Sequence, residues 1–112
     1  MAIREEPSMI RLREVCMKIP ALAADTDKTD PIPDVTLDEE AHHVWRLRQD
    51  GTLREIYFRS YRRDAVLILE CDSIDAASKI IASLPLVRDE WIAFELIGLH
   101  PYDGFERLFR EP

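Results

Sequence analysis

Residues 53–71 read LREIYFRSYRRDAVLILEC: two β-branched and aromatic runs, 53–59 and 65–71, separated by the charged segment SYRRD. This segment restricts the fold more than any other. Runs of that length and composition are strands, and so short a polar link makes the two antiparallel neighbours. A lone hairpin is marginal in water, so the segments that flank it must supply the rest of a sheet and something to pack on its face.

On the N-terminal side, Thr36 followed three residues later by Glu39 fits a capping box. Leu37, Ala41, Val44 and Leu47 then recur at helical spacing until Asp50-Gly51. On the C-terminal side, Asp72-Ser73 caps a second stripe, Ile74, Ala77, Ile81 and Leu84, which Pro85 interrupts. Outside the two helices lie further strand-like runs, MIRLREVCMKI at 9–19, stopped by Pro20, and WIAFELIGL at 91–99. The order strand, helix, strand, strand, helix, strand predicts an α+β, ferredoxin-like β-α-β-β-α-β fold, a four-stranded antiparallel sheet with both helices on one face. Residues 20–35, bracketed by Pro20, Pro31 and Pro33 and otherwise small or acidic, are expected to form a mobile surface loop. An aromatic tail from about residue 101 carries Tyr102, Phe105, Leu108 and Phe109.

The chain has 112 residues and 46% hydrophobic content, enough for one core and hence a single domain over 1–112. Fifteen Lys and Arg against 22 Asp and Glu give a net charge of −7, the wrong sign for a partner of nucleic acid or of an anionic membrane. No run approaches a membrane span, and MAIREEPSM lacks the apolar stretch of a signal peptide, so a cytoplasmic protein is expected. Cys16 and Cys71 fall singly in strand-like runs and read as small buried hydrophobes. Metal and phosphate sites find no pattern. His42 and His43 are adjacent on a helix and point apart, Asp25-x-Asp27-x-x-Asp30 lacks the glycine and distal glutamate of a calcium loop, and the three glycines are dispersed.

Strand alternation sorts the side chains by face. Ile56, Phe58, Ala65, Leu67, Leu69, Ile92, Phe94 and Leu96 form an apolar set suited to the helices. The opposite set mixes large apolar residues with ionisable ones: Glu55, Tyr57, Arg59, Val66, Ile68, Glu70, Trp91, Ala93, Glu95 and Ile97. Such a face either pairs with a second copy to enclose a barrel-like cavity or is a surface with scattered hydrophobes. Large apolar patches are uncommon on monomers, which favours self-association as a homodimer or larger ring, with the aromatic tail clasping the partner.

Several short motifs resemble muconolactone isomerase and its relatives: MKIP at 17–20, GTLRE at 51–55, SLPLV at 83–87 and GLHP at 98–101, in that order along the domain. The resemblance implies a dimeric α+β barrel enclosing a pocket for a small organic acid or lactone. It also implies a cofactor-independent isomerase that moves a proton and a double bond during aromatic-compound breakdown, with no metal. Such chemistry needs a base beside the carbonyl, an acid to return the proton, donors for enolate charge and a cationic anchor for the carboxylate. This sequence differs in its longer 20–35 loop, its extended aromatic tail and Glu55 after the GTLR stretch. The same barrel also accommodates a cofactor-free monooxygenase or cyclase, or a non-catalytic ligand-binding or assembly protein.

Glu70 and Glu95, each among apolar neighbours, are the expected proton-transfer residues, because a carboxyl in apolar surroundings holds its proton to higher pH. The alternative for Glu70 is a strand-end carboxylate paired with an arginine. His100, before Pro101 at the end of the fourth strand, is of a residue type suited to proton transfer, and Tyr57 offers a hydrogen-bond donor. Arg11, Arg13 and Arg54 compete as carboxylate anchors, and Trp91 is expected in the substrate pocket.

Overall fold

The computed structural model describes residues 16–110. Arg11 and Arg13, the beginning of the expected first strand and the last two residues lie outside them. The order of elements is β1 (Met17–Asp25), α1 (Asp34–Gln49), β2 (Leu53–Phe58), β3 (Ala65–Cys71), α2 (Ile74–Ala82), a four-residue α3 (Pro85–Arg88), β4 (Ile92–Leu96) and a 3-10 turn over Gly104–Phe109. The sheet runs β2-β3-β1-β4 with every neighbouring pair antiparallel, so β1 is central and the β-α-β-β-α-β reading holds.

Pro20 does not stop β1, which continues to Asp25. A residue's N–H and C=O point to the same side of a strand, and Ile97 N–H donates to Pro20 O at 2.9 Å, so the donor that proline lacks falls on the β4 side. Regular β4 pairing already ends there, at Leu96, while the β3 ladder passes Pro20 intact. The loop expected over 20–35 is correspondingly shorter, and it is tied down. Thr26 N–H donates to Trp91 O (3.2 Å), Thr26 Oγ1 to Glu90 O (2.6 Å) and Lys28 Nζ to Asp89 O (2.7 Å).

Helix α1 starts two residues before the expected Thr36 cap. Pro33 is its N-cap, without a side-chain cap bond, and Thr36 is buried in the first turn. Gly51, at φ 87°, takes the left-handed conformation that turns the chain out of α1. Ser73 caps α2 as expected, accepting a hydrogen bond from Ala76 N–H at 3.1 Å. A β-bulge between Leu53 and Glu55 inserts one extra residue in β2, so Leu53 and Ile56 both face the helices despite their odd spacing.

The core is centred on Ile19, Leu53, Leu67, Leu69 and Leu84, all essentially without exposure. Of the eight apolar residues assigned to the helices, only Leu67 and Leu69 are buried in it. Phe58, on the same face, stays 56% exposed, and Ile92 and Phe94 are half-buried. The helices cover the Met17 end of the sheet and leave the Asp25 end open. Among the described residues no helix is long and apolar enough to cross a membrane.

Candidate functional site

The uncovered end of the sheet is the floor of a cavity of about 510 Å³, with α1 as its wall. Phe58, Ala65, Leu67 and Phe94 rise from the strands, Leu37, Ala41 and Val44 face them from α1, and Leu86 and Ile32 belong to the lining as well. The lining is predominantly apolar, with a few ionisable groups, which is the usual make-up of a small-molecule site. Those groups are Glu40, Asp25, Arg63 and Asp64.

Glu40 sits three residues after Leu37 and four before Val44, so helical spacing sets a carboxylate into the apolar stripe. Its Oε1 accepts a hydrogen bond from Leu86 N–H at 3.0 Å. That amide belongs to the first turn of α3, whose N-cap, Leu84, has no side chain to serve it; Glu40 does so from another helix. Oε2 has no hydrogen-bond partner among the described residues. Burial pushes the Glu40 carboxyl above its ordinary value, with the Leu86 N–H bond and the nearby His43 pulling partly back. The result is a half-buried acid with one oxygen fixed and the other free to exchange a proton.

The β2–β3 hairpin supplies the opposite charge. Arg59 N–H donates to Asp64 O (3.0 Å), closing the loop, and Arg62 Nε pairs with Asp64 Oδ2 at 2.5 Å. Arg63 turns to the cavity with its guanidinium carbon 4.4 Å from the centre of the Phe58 ring. Among the described residues it has no carboxylate within ion-pair distance, so its forked donors are available to an anion.

The residues selected from sequence lie elsewhere. Glu70, Glu95 and Tyr57 are on the other face of the sheet, where Glu70 stands opposite Lys18 and Glu95 opposite Leu22. Tyr57 donates its hydroxyl to Glu55 Oε1 at 2.6 Å, which raises its pKa. Glu95 shares a shallow depression with Arg59 and Arg62, whereas Glu70 and Tyr57 do not line it. Arg54 is exposed in the bulge above Gly51, and His100, also exposed, lies with Nδ1 2.9 Å from Pro101 O, next to it in the chain. Trp91 is 8% exposed beneath Lys28, whose Nζ lies 3.9 Å from the ring centre, and it does not line this cavity. Sequence reasoning passed over Glu40 and Arg63. The signal for Glu40 was the charge interrupting the stripe of Leu37, Ala41 and Val44; nothing in SYRRD singles out Arg63 from its neighbours.

A second, open cleft on the outside of α1 holds His42, His43, Trp45 and Arg46 against Ser83 and Arg88. Ser83 Oγ lies 3.2 Å from His43 Nε2 but donates its proton to Ile80 O at 2.6 Å, so the imidazole has no serine proton to take. Arg88 is held by Asp89 through two bonds of 2.8 and 2.9 Å. Among the described residues no three metal-ligating side chains converge.

Fold and cavity together define a small α+β domain of split β-α-β topology, with a pocket between its first helix and its sheet. No family model matches the chain, and no curated protein sequence matches it either. Among solved structures it is similar to muconolactone isomerase, at 19% identity and a TM-score of 0.66 over 78% of this chain and 92% of that one. At that identity the likeness shows the fold.

Proposed function

We propose that the protein is a cofactor-independent, isomerase-like enzyme that moves a proton, and with it a double bond, within a small unsaturated lactone or related organic acid. The observation that carries this reading is Glu40, a carboxylate with a raised pKa on the wall of an apolar cavity that also holds Arg63, which has no ion-pair partner among the described residues. Arg63 grips the substrate carboxylate, and the apolar body lies over Phe58 and Phe94. The ionised Glu40 removes a proton from the carbon next to the carbonyl, and the C–H electron pair moves into the carbonyl group to give an enolate. The protonated Glu40 then returns that proton to the far carbon of the conjugated system, so the double bond shifts with no net change in protons or electrons. The solved relative supplies a precedent for lactone isomerisation on this fold, although fold alone does not fix chemistry.

The same reading assigns the open face of the sheet to a second copy. Pro20, Leu22, Val66, Ile68 and Ile97 make a half-exposed apolar strip there, and in the tail Tyr102 and Phe105 are 74% and 65% exposed. Two copies pairing through this strip leave both cavities accessible, because each lies on the helix side.

Binding tests the site before chemistry does. In amide NMR titrations with a panel of small unsaturated carboxylates and lactone acids, the shifts should cluster at Ala41, Val44, Arg63 and Phe94. Arg63→Gln should weaken binding of the acids more than that of their methyl esters. Shifts confined to the outer cleft or to the open sheet face would remove the basis for this reading.

A further inference from the structure

Resting on the role proposed above for Glu40, we infer that His43 is its positioning residue: by holding Ser83, it keeps the corner between α2 and α3 turned so that the Leu86 amide stays on Glu40 Oε1. Glu40 and His43 lie three residues apart on α1. The groups they hold, Leu86 N–H at 3.0 Å and Ser83 Oγ at 3.2 Å, lie three residues apart on the corner. Among the described residues these are the only hydrogen bonds between α1 and residues 83–88. Between the two bonded groups, Leu84 and Pro85 are buried in the core. The corner therefore has a buried pivot with a polar pin on either side. Losing the Ser83 pin lets it rock about that pivot, which carries the Leu86 N–H off the carboxylate.

The hydrogens of the Ser83 pin fix its direction. Ser83 Oγ donates to Ile80 O at 2.6 Å, so toward His43 it accepts, and the imidazole contributes Nε2–H. That N–H is present in this neutral tautomer and in the imidazolium alike, so the pin survives a change in the charge of the ring. The charge is a separate influence. Burial raises the Glu40 carboxyl above its ordinary value, and both the Leu86 bond and His43 pull it back. His43 thus acts on Glu40 twice, through the corner and directly across one turn of α1. The other charged or titratable groups around it are Glu39, His42 and Arg46 on α1 and, across the outer cleft, Arg88, which Asp89 holds. Among the described residues none of these is hydrogen-bonded to His43 or Glu40.

Pin and charge separate on substitution. Ser83→Ala removes the pin and keeps the charge, His43→Gln keeps a side-chain N–H for Ser83 and removes the charge, and His43→Leu removes both while leaving the Ser83–Ile80 bond in place. Amide hydrogen exchange by NMR reads the corner. The Leu86 N–H should exchange about fivefold faster in Ser83→Ala and His43→Leu, the factor expected from losing one hydrogen bond, and at the parent rate in His43→Gln. The amides of Val87, Arg88 and Asp89, bonded within the corner to Leu84 O and Pro85 O, should be unchanged in all three variants. A carbon NMR titration of the Glu40 carboxyl should give a higher midpoint in each variant than in the parent, highest in His43→Leu. Neither readout needs substrate or turnover, so an isomerase reading that fails on Glu40→Gln leaves both intact. Leu86 exchange at the parent rate in Ser83→Ala and His43→Leu would show that Leu84 and Pro85 hold the corner alone, and the inference would be overturned. Acceleration of Val87, Arg88 and Asp89 along with Leu86, or no rescue by His43→Gln, would make His43 a general stabiliser and overturn it equally.

Discussion

Glu40 Oε1 receives the Leu86 amide at 3.0 Å, so one carboxylate both caps the first turn of α3 and forms part of the cavity wall. The bond fixes one oxygen and orients the other, and it holds α3 against α1 at the end of the pocket. A group with both duties separates structural from chemical effects on substitution, because glutamine keeps the acceptor oxygen and loses only the proton chemistry.

The stability of Glu40→Gln should therefore depend on pH relative to the parent. The Glu40 carboxyl is raised above its ordinary 4.5 in the folded protein, so the native state binds more protons than the unfolded chain in the window above 4.5. The parent loses stability as pH rises through that window, up to the folded value, and the glutamine variant does not. Urea midpoints should favour Glu40→Gln at pH 7 and converge with the parent below about pH 4.5. Glu40→Ala, which also removes the cap, should be less stable than Glu40→Gln at every pH.

Leu69 lies between Ile19 on β1 and Leu53 on β2 in the register of the sheet, and all three are fully buried. Leu69→Ala should cost about 3 kcal/mol by urea unfolding, a transfer loss plus a cavity that three strands cannot close. The loss should appear in the midpoint with little change in slope.

Ser73→Ala removes the only side-chain cap on α2 and should cost about 1 kcal/mol, with Ser73→Gly costing a few tenths. Thr36→Ala, at the position where the sequence suggested a cap, should show no capping loss, because Pro33 holds that place. Thermal or urea melts of the three variants distinguish these outcomes.

The order of elements and the sheet topology could be read from periodicity because each depends on patterns a few residues long: the 53–71 hairpin, the Ser73 cap and the stripe from Ile74 to Leu84. The errors arose where a local rule met tertiary context. Pro20 reads as a stop, but at a strand centre its missing donor falls just where β4 pairing ends. The helix-facing set of β2, β3 and β4 was assigned correctly, yet no periodicity reveals that the helices leave part of it bare. That incomplete cover creates the cavity, and it moved the candidate site from Glu70 and Glu95 to Glu40 and Arg63.

If the open sheet face is where two copies meet, Ile68→Lys should place a charge in the middle of the apolar strip. Sedimentation velocity should show the parent as a dimer or larger species and Ile68→Lys as a monomer with unchanged circular dichroism. A parent that sediments as a monomer at high micromolar concentration would remove the second copy from the proposal.

The central claim, that Glu40 transfers a proton within a bound unsaturated acid, is tested most directly by proton NMR in D₂O with lactone acids of the muconolactone type. The protein should catalyse exchange of deuterium into the carbon beside the carbonyl. Glu40→Gln should reduce that rate by at least about 100-fold, the usual weight of a general acid–base group. Glu70→Gln and Glu95→Gln, on the other face of the sheet, should retain it. Full exchange activity in Glu40→Gln, or its loss in Glu70→Gln or Glu95→Gln with Glu40→Gln unaffected, would contradict the assignment and return the chemistry to the open face.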